Sequence, residues 1–571
     1  MLRSLLFLLL TAAFMTGAER NLGALVLVNS QAPDYEDFAR VVEPYLAHFG
    51  VPYEPRDISA KPLGDSARGY SLVIVGHHEL DAPRRFFTAG EERRLLEAVR
   101  DGTGLVSFDG LLTAWSGKQP RPLYSYPREI FGLEPASPST ASEIRITAEH
   151  FITAQSPIPR TVALKRTIAM AGVSVGAAAT VLARAGEQPL LVAATHGKGR
   201  AALFSSYEWT RPDVKGRLYG LDDLVWRSLV WAANKPFLLR GMPRYLAVRI
   251  DDVSGFGIGL NRHLGYLAAL NRRGLKPWLG LFIGDLEEDP HALAELTRLT
   301  REGLATASVH ARRWRSFFYL DEPLLTDEHG RNIAGRPWPA DKMAANFAEG
   351  EQFLARHGIP KSKLVIPHFY QFALNNFDGI AAGGAEFVAT VLRPGYGYGT
   401  PMLAAWPYLA TEPPRPSNAR DPVYIADWLD VPGRPDLRRR FFNFVIEIRD
   451  VAGYEWAPSS VPVEEAIRRG VEQCRRSFDS LVPAVLFTHE SDHIQHIPPE
   501  DWERIVNGVM DRLAPYQPVP VTLEYLAQYL RALRTSRLVK ARYIPEQKAL
   551  ELRLEGAADL ATKFYIYDET P

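Results

Sequence analysis

The run Arg244-Tyr-Leu-Ala-Val-Arg-Ile-Asp251-Asp252-Val-Ser-Gly255 sets two carboxylates directly after a short apolar segment. Tyr245 to Ile250 has the character of a buried strand, which Ser254 and Gly255 end. Adjacent acids at such a strand end are costly to desolvate and resist joint ionisation unless a cation or another partner intervenes. Two arrangements answer that cost. Either one acid binds a metal while the other works as a base, or the pair caps a helix near Gly259. Two histidines occupy comparable positions. His310 follows Leu304-Ala-Thr-Ala-Ser-Val309, and His368 follows Lys363-Leu-Val-Ile-Pro367. Asp252, His310 and His368 together form a one-carboxylate, two-imidazole donor set. Such donors suit a divalent ion, Zn²⁺ first and Co, Ni, Mn or Fe as well, and three protein ligands leave room for water and substrate. A further strand, Val482 to Phe487, leads into Thr488-His489-Glu490-Ser491-Asp492-His493. These residues read literally as H-E-x-x-H, the helical signature of zinc proteases. That chemistry needs both histidines on one helical face. The β-favouring Val485 and Phe487 before the motif, and Pro498-Pro499 soon after it, leave little room for a helix.

These residues are spaced along a repeating strand–helix pattern. Leu260 to Arg273 reads as a helix, Lys276 to Ile283 as a strand and Pro290 to Glu302 as a helix, and the repetition over residues 243–533 predicts a (β/α) barrel. Barrel active sites lie at the carboxyl ends of the strands. Upstream, residues 22–240 alternate Ala24–Val28, a helix over Tyr35–Phe49, Ser71–Val75, a helix over Glu91–Val99, and Gly104–Phe108. That order predicts a parallel sheet with helices on both faces, followed by a strand-rich stretch over 141–204 and a helix over Leu221–Ala233. Residues 536–571 alternate like hairpin strands and are too short to fold alone, so they form a short β-rich C-terminal piece that packs on the barrel or is truncated.

Ile250-Asp251-Asp252 after a strand resembles the first motif of the polysaccharide deacetylase superfamily, which are metal-dependent carbohydrate esterases. The likeness runs over roughly residues 243–533. It implies that Asp251 is the catalytic base and Asp252 a metal ligand. His310 stands where the second motif supplies a metal histidine. That motif has another histidine four residues on, where this chain has Trp314, so His368 is the replacement ligand. The strand ending at His489 resembles the closing motif, which implies that His489 is the general acid. A backbone N–H near Tyr370 would help steady the oxyanion. Residues 22–240 resemble the class I glutamine-amidotransferase-like, flavodoxin-like fold, on their strand order and on Gly197-Lys-Gly-Arg200 before a strand. Val106-Ser-Phe-Asp109-Gly110 has no cysteine at the nucleophile position, which excludes glutaminase chemistry.

Lys+Arg and Asp+Glu both number 66, a balance that argues against a general nucleic-acid binder. Cys474 is the single cysteine, in a helical stretch, so no internal disulfide framework exists. Met1 to Ala18 reads as a secretory signal peptide, with no membrane span after it, which predicts a secreted or periplasmic protein. The aromatic and basic residues Trp314, Tyr370, Arg393 and Tyr396 are candidates for a substrate rim on which sugar rings pack. The combined reading is N-deacetylation of an amino-sugar polysaccharide. A metal-free glycan-binding protein, a zinc metalloprotease through His489 and His493, and a glycoside hydrolase using Asp251 with Glu490 or Asp492 are the alternatives. Protein partners are not indicated.

Overall fold

The computed structural model describes residues 6–9, 19–110, 113–116, 119–154, 160–211, 214, 221–257, 259–314, 319, 336–390, 425–445, 450–453, 461–491, 493–547 and 549–569. The chain is mixed α/β and divides into two units. The first holds residues up to Gly241 together with Thr535–Ala558 and Thr562–Pro571; the second holds Met242–Arg534 with Asp559–Ala561.

In the first unit the apolar runs form parallel strands β1 (Arg20–Val28), β2 (Tyr53–Asp57), β3 (Tyr70–Val75), β4 (Gly104–Ser107) and β5 (Gly199–Phe204). Their order in the sheet is β2-β1-β3-β4-β5, every pairing parallel. Beyond β5 the sheet continues with antiparallel strands drawn from residues 139–196. The helix over Ala89–Asp101, capped by Thr88, buries Leu95, Leu96 and Val99. The C-terminal strands Ser536–Ile544 and Ala549–Gly556 form a hairpin that joins this same sheet, pairing with β1 at Arg20 and Asn21. Tyr565–Tyr567 pairs with Phe237–Leu239. Residues 536–556 are therefore edge strands of the first unit rather than a separate piece on the barrel, and their buried side chains Leu538, Ala541, Leu550 and Leu552 find a core there with Leu22 and Leu238. Leu6–Leu9 pairs with Ala549–Leu552, and the rest of the expected signal segment lies outside the described residues. No helix among the described residues is long and apolar enough to cross a membrane.

The second unit carries β6 (Tyr245–Val253), β7 (Trp278–Phe282), β8 (Thr306–Ala311), β9 (Leu364–Val365), β10 (Phe387–Val388), β11 (Ile425–Trp428), β12 (Phe442–Val445) and β13 (Ala484–His489). The expected closed barrel is not seen as one ladder among the described residues. One sheet runs β8-β7-β6-β13, all parallel, and a second runs β9-β10-β12 with β11 antiparallel at its edge. Pro367 accounts for part of the break, since it has no N–H to give a ladder. The chain then turns at once into a short 3₁₀ segment, His368–Tyr370, with Phe369 and Tyr370 at φ +59°. Two bonds still bridge the sheets at this seam: Ser362 N–H to the Ala307 carbonyl (3.2 Å) and His310 Nδ1 to the Ile366 carbonyl (2.8 Å). Leu260–Arg273 is not the single helix that its periodicity predicts. It splits into Gly259–Leu264 and Leu267–Arg272, because His263 swings to φ +53° and binds Asp289, the N-cap of the next helix. Cys474 is buried in the helix Val463–Asp479.

Candidate metal centre and active site

Asp251 and Asp252 are the last two polar residues of β6, followed only by Val253, and both are buried. Both carboxylates approach His310 Nε2, Asp252 at 3.3 Å and Asp251 at 3.7 Å, but their other partners differ. Asp251 is held by the Arg249 guanidinium two residues earlier, through Nε to Oδ1 at 2.7 Å and through Nη2 to Oδ2. Arg249 is itself buried, sandwiched between the rings of Tyr370 (4.9 Å) and Phe487 (4.6 Å). Burial alone would raise the Asp251 pKa; the charge and hydrogen bonds of Arg249 work against it, and the carboxyl is held below the usual range. Asp251 is therefore an anion at neutral pH.

Asp252 sits at φ +57°, a left-handed conformation that costs a non-glycine residue about 1–3 kcal/mol. That turn aims its carboxylate at His310 and His368. Oδ1 lies 3.3 Å from His310 Nε2 and 3.6 Å from His368 Nε2. One ligand atom from each of the three residues lies within 4.8 Å of the others. Neither acid caps a helix: the two side chains go to Arg249 and to the strand-end histidines. Asp252 Oδ1 is buried and has no hydrogen-bond partner among the described residues, a cost that a cation would remove. The His310 Nδ1–H donated to Ile366 fixes the tautomer that offers Nε2 to the same point. Burial pushes the His368 imidazolium down to about 3 against the pull of Asp252, so this ring is neutral and able to ligate. The donors thus fit a divalent ion. Replacing His310 or His368 by Ala is expected to reduce bound Zn²⁺ from about one equivalent to a small fraction of one. The check is elemental analysis after dialysis, with His263→Ala, whose ring serves Asp289, retaining its metal.

His489 ends β13 directly beside Asp251, its register partner on β6. Its Nδ1 donates to Asp450 Oδ2 at 2.7 Å, and its backbone N–H donates to the same oxygen at 3.0 Å. Burial would lower the His489 pKa, but the hydrogen bond to Asp450 and the charges of Asp252 and Asp251 raise it to about 9. The ring is thus protonated at neutral pH. His493 also donates Nδ1 to Asp450 Oδ2, at 2.9 Å. Asp450, His489 and His493 form a second cluster with metal-ligand spacing. Asp450 is nonetheless saturated by N–H and O–H donors, its Oδ1 taking Ala452 N, Gly453 N and Thr488 Oγ1 at 2.8 Å each, so it has no lone pair left for a cation.

The protease reading of H-E-x-x-H does not survive these positions. Residues 484–489 are strand and Ile494–His496 is a single 3₁₀ turn. Glu490 is fully buried and clamps the loop after β6. It accepts from Gly255 N (2.7 Å), Ser254 N (3.3 Å), Ser254 Oγ (3.2 Å) and Tyr266 Oη (2.8 Å). It is equally removed from the glycosidase role, and Asp492 lies outside the described residues. Burial drives the Glu490 pKa up to about 7 despite these donors. A carboxyl raised in the fold contributes most below its unfolded value, and that contribution is lost as pH rises towards 7. Glu490→Gln is therefore expected to flatten the fall in Tm between pH 5 and 8, an effect on the order of 2–3 kcal/mol, read by calorimetry at several pH values.

Around the centre, Trp314 is 41% exposed and packs its ring 5.4 Å from His368 and 5.9 Å from Phe369. Tyr370 is buried against Arg249 rather than lying on a rim, and its own N–H is donated to the Pro367 carbonyl (3.0 Å), so that amide is not the oxyanion donor expected nearby. Arg393 and Tyr396 lie outside the described residues. In the first unit, His77 is spent on structure: Nε2 accepts from Asn29 N and Nδ1 bonds the His78 carbonyl.

No family model matches the chain, and no curated protein does. Solved structures do. The structure of "Agd3 a novel carbohydrate deacetylase" is similar over 97% of this chain and 99% of that chain, at 10% identity and a TM-score of 0.46. The Bc1960 peptidoglycan N-acetylglucosamine deacetylase covers 50% of this chain and 90% of its own, at 13% identity and a TM-score of 0.27. A family 4 carbohydrate esterase from Streptomyces lividans covers 49% and 92%, at 11% identity and a TM-score of 0.26.

Proposed function

We propose that the second unit is a metal-dependent hydrolase that removes N-acetyl groups from an amino-sugar polysaccharide outside the cytoplasm. The observation that carries this reading is the pairing of a buried three-donor group, Asp252, His310 and His368, with an ionised Asp251 and a protonated His489 on adjacent strands. Bound by those three donors, a divalent ion would polarise the acyl carbonyl and make a nearby water more acidic. Asp251 accepts the proton of the attacking water while Arg249 keeps its carboxylate oriented. As the C–N bond breaks, His489 passes its proton from Nε2 to the leaving nitrogen, yielding acetate and a free amine. Asp450 holds Nδ1 and so leaves Nε2 for that transfer. Because the acid must be protonated, and Asp450 holds its pKa above the ordinary imidazole value, turnover is expected to fall on the alkaline side as His489 loses its proton. The exposed face of Trp314 beside His368 suits the apolar face of a sugar ring. The choice of an N-acetylated hexosamine polymer rests on the motif resemblance, and the extracytoplasmic site on the Met1–Ala18 segment.

The test couples elemental analysis of purified protein to acetate release from a panel of acetylated hexosamine polymers. Zn²⁺ near one equivalent with release from at least one polymer supports the reading. A full metal complement with no release from any of them sinks it.

A further inference from the structure

A single carboxylate oxygen serves two imidazoles. Asp450 Oδ2 receives the His489 N–H at 3.0 Å, His489 Nδ1 at 2.7 Å and His493 Nδ1 at 2.9 Å. With Oδ1 fixed by Ala452 N, Gly453 N and Thr488 Oγ1, the carboxylate has no freedom to rotate towards either ring. The rings stand nearly perpendicular, at 71° with centroids 5.5 Å apart. The His489 side chain is 22% exposed and that of His493 only 4%. One imidazole of the pair is thus open to exchange a proton and the other is enclosed. The enclosure is specific: a Cβ at Gly453 would stand 2.0 Å from the His493 ring, so the chain carries glycine where the ring lies against its backbone.

We propose that His493 is a positioning residue that acts through Asp450, fixing the direction in which His489 presents Nε2 and weakening the grip of the shared carboxylate on the His489 proton. This rests on the reading of His489 as the proton donor. The physical basis is competition. A carboxylate oxygen that already accepts a strong N–H donor is a poorer acceptor for a second one. Asp450 alone would hold the His489 proton more tightly, making a slower acid; sharing the oxygen brings His489 nearer the acidity that proton delivery needs. The direction holds whether His493 is neutral or charged, since removing either a competing donor or a competing cation strengthens the Asp450–His489 pair.

The other charged groups facing His489 do not reproduce this effect. Asp251 and Asp252 on β6 both favour its protonated form. His368, from the 3₁₀ turn, is neutral. Arg249 stands behind the Phe487 ring and is committed to Asp251. Arg469, from the helix behind, donates to the backbone carbonyls of Asp450 (3.3 Å) and Gly453 (2.7 Å). His493 is the group that meets the same oxygen.

The experiment compares full-length, metal-loaded wild type with His493→Phe and His493→Asn. Phe removes the donor; the Asn amide nitrogen stands near where Nδ1 stood and restores it. Two readouts are taken: the alkaline limb of kcat/KM for acetate release, and an NMR titration of the His489 ring in histidine-labelled protein, assigned with His489→Gln. The Phe variant is expected to move the His489 midpoint upward by roughly half a unit to one unit, a factor of about 3–10, with a lower kcat. The Asn variant is expected to return it close to wild type. If the Phe variant does not fold, His493→Leu makes the same comparison. An unmoved midpoint in the donor-less variant, or an Asn variant that behaves like Phe, overturns the proposal. Should no polymer release acetate, the hydrolase reading fails while the ring titration still decides the role of His493.

Discussion

Asp251→Asn is expected to lower acetate release by about 10²–10⁴-fold, the span over which a positioned general base contributes, while the protein keeps its metal. The asymmetry follows from the partners on β6. Asp252 faces both His310 and His368 and supplies the donor atom; Asp251 is held by the Arg249 fork, and its Oδ2 stands farther from His310 Nε2 (3.7 Å) than Asp252 Oδ1 does (3.3 Å). Asn has the shape of Asp but is not a base. It also leaves the buried Arg249 guanidinium facing a neutral amide, and breaking a buried ion pair by changing one partner costs about 3–5 kcal/mol. A fall in Tm should therefore accompany the loss of rate, and the two are separable. Arg249→Met with Asp251 intact removes the orienting fork without removing the base, so it should retain more activity than Asp251→Asn at equal or lower Tm. Acetate release, Zn²⁺ content and calorimetry on the three proteins give the comparison. Wild-type rates in a metal-replete Asp251→Asn protein would remove Asp251 from the chemistry.

What the chain disclosed in advance divides along physical lines. The runs Ala24–Val28, Ser71–Val75 and Gly104–Phe108 are apolar, short and bounded by turns, and the parallel strands β1, β3 and β4 form over them. Strand-end polar residues were legible for the same reason: an acid or histidine immediately after an apolar run has few structural uses. That logic brought Asp252, His310 and His368 into one proposed set, and their ligand atoms do converge. It could not find Asp450. The text Ile446-Glu-Ile-Arg-Asp450-Val-Ala-Gly453 has no strand-end signature, and the link from Asp450 to His489 spans 39 positions. Arg249 left a signal that was there to read. A charged residue inside an otherwise apolar strand must find a buried counter-charge, and the nearest one on the same face is two residues on, at Asp251. The joining of residues 536–556 to the first sheet had no local sign at all, because an edge strand is chosen by which open edge it meets. The broken helix over 260–273 shows the converse: apolar periodicity was present, but the His263–Asp289 pair and the left-handed turn at His263 overrode it.

Asp450→Asn carries the second large expectation, and its sign opposes that of the His493 variants. Removing the carboxylate charge takes away the hydrogen bond and part of the field that, against burial, raise the His489 pKa to about 9; the charges of Asp252 and Asp251 remain. The His489 ring should then lose its proton at a lower pH, so the alkaline limb of kcat/KM moves down, whereas His493→Phe moves it up. At pH 8 the Asn variant should lose about 10²–10⁴-fold in rate, and part of that loss should be recovered near pH 6, where the imidazole is protonated again. A stability cost runs alongside it. Six donors converge on the Asp450 carboxylate, and an Asn amide nitrogen in place of one oxygen opposes either three donors at the Oδ1 position or three at the Oδ2 position. Each buried donor left unpaired costs about 1–3 kcal/mol. The wild-type histidine contribution has its own pH signature. A ring whose folded pKa is raised stabilises the protein fully below its unfolded value of about 6.5, and that stability is lost as pH rises through about 9. The Asp450→Asn protein should therefore show a shallower decline of Tm across that window than the wild type. If the rate loss is the same at pH 6 and pH 8, Asp450 holds the backbone in place and does not govern the proton on His489.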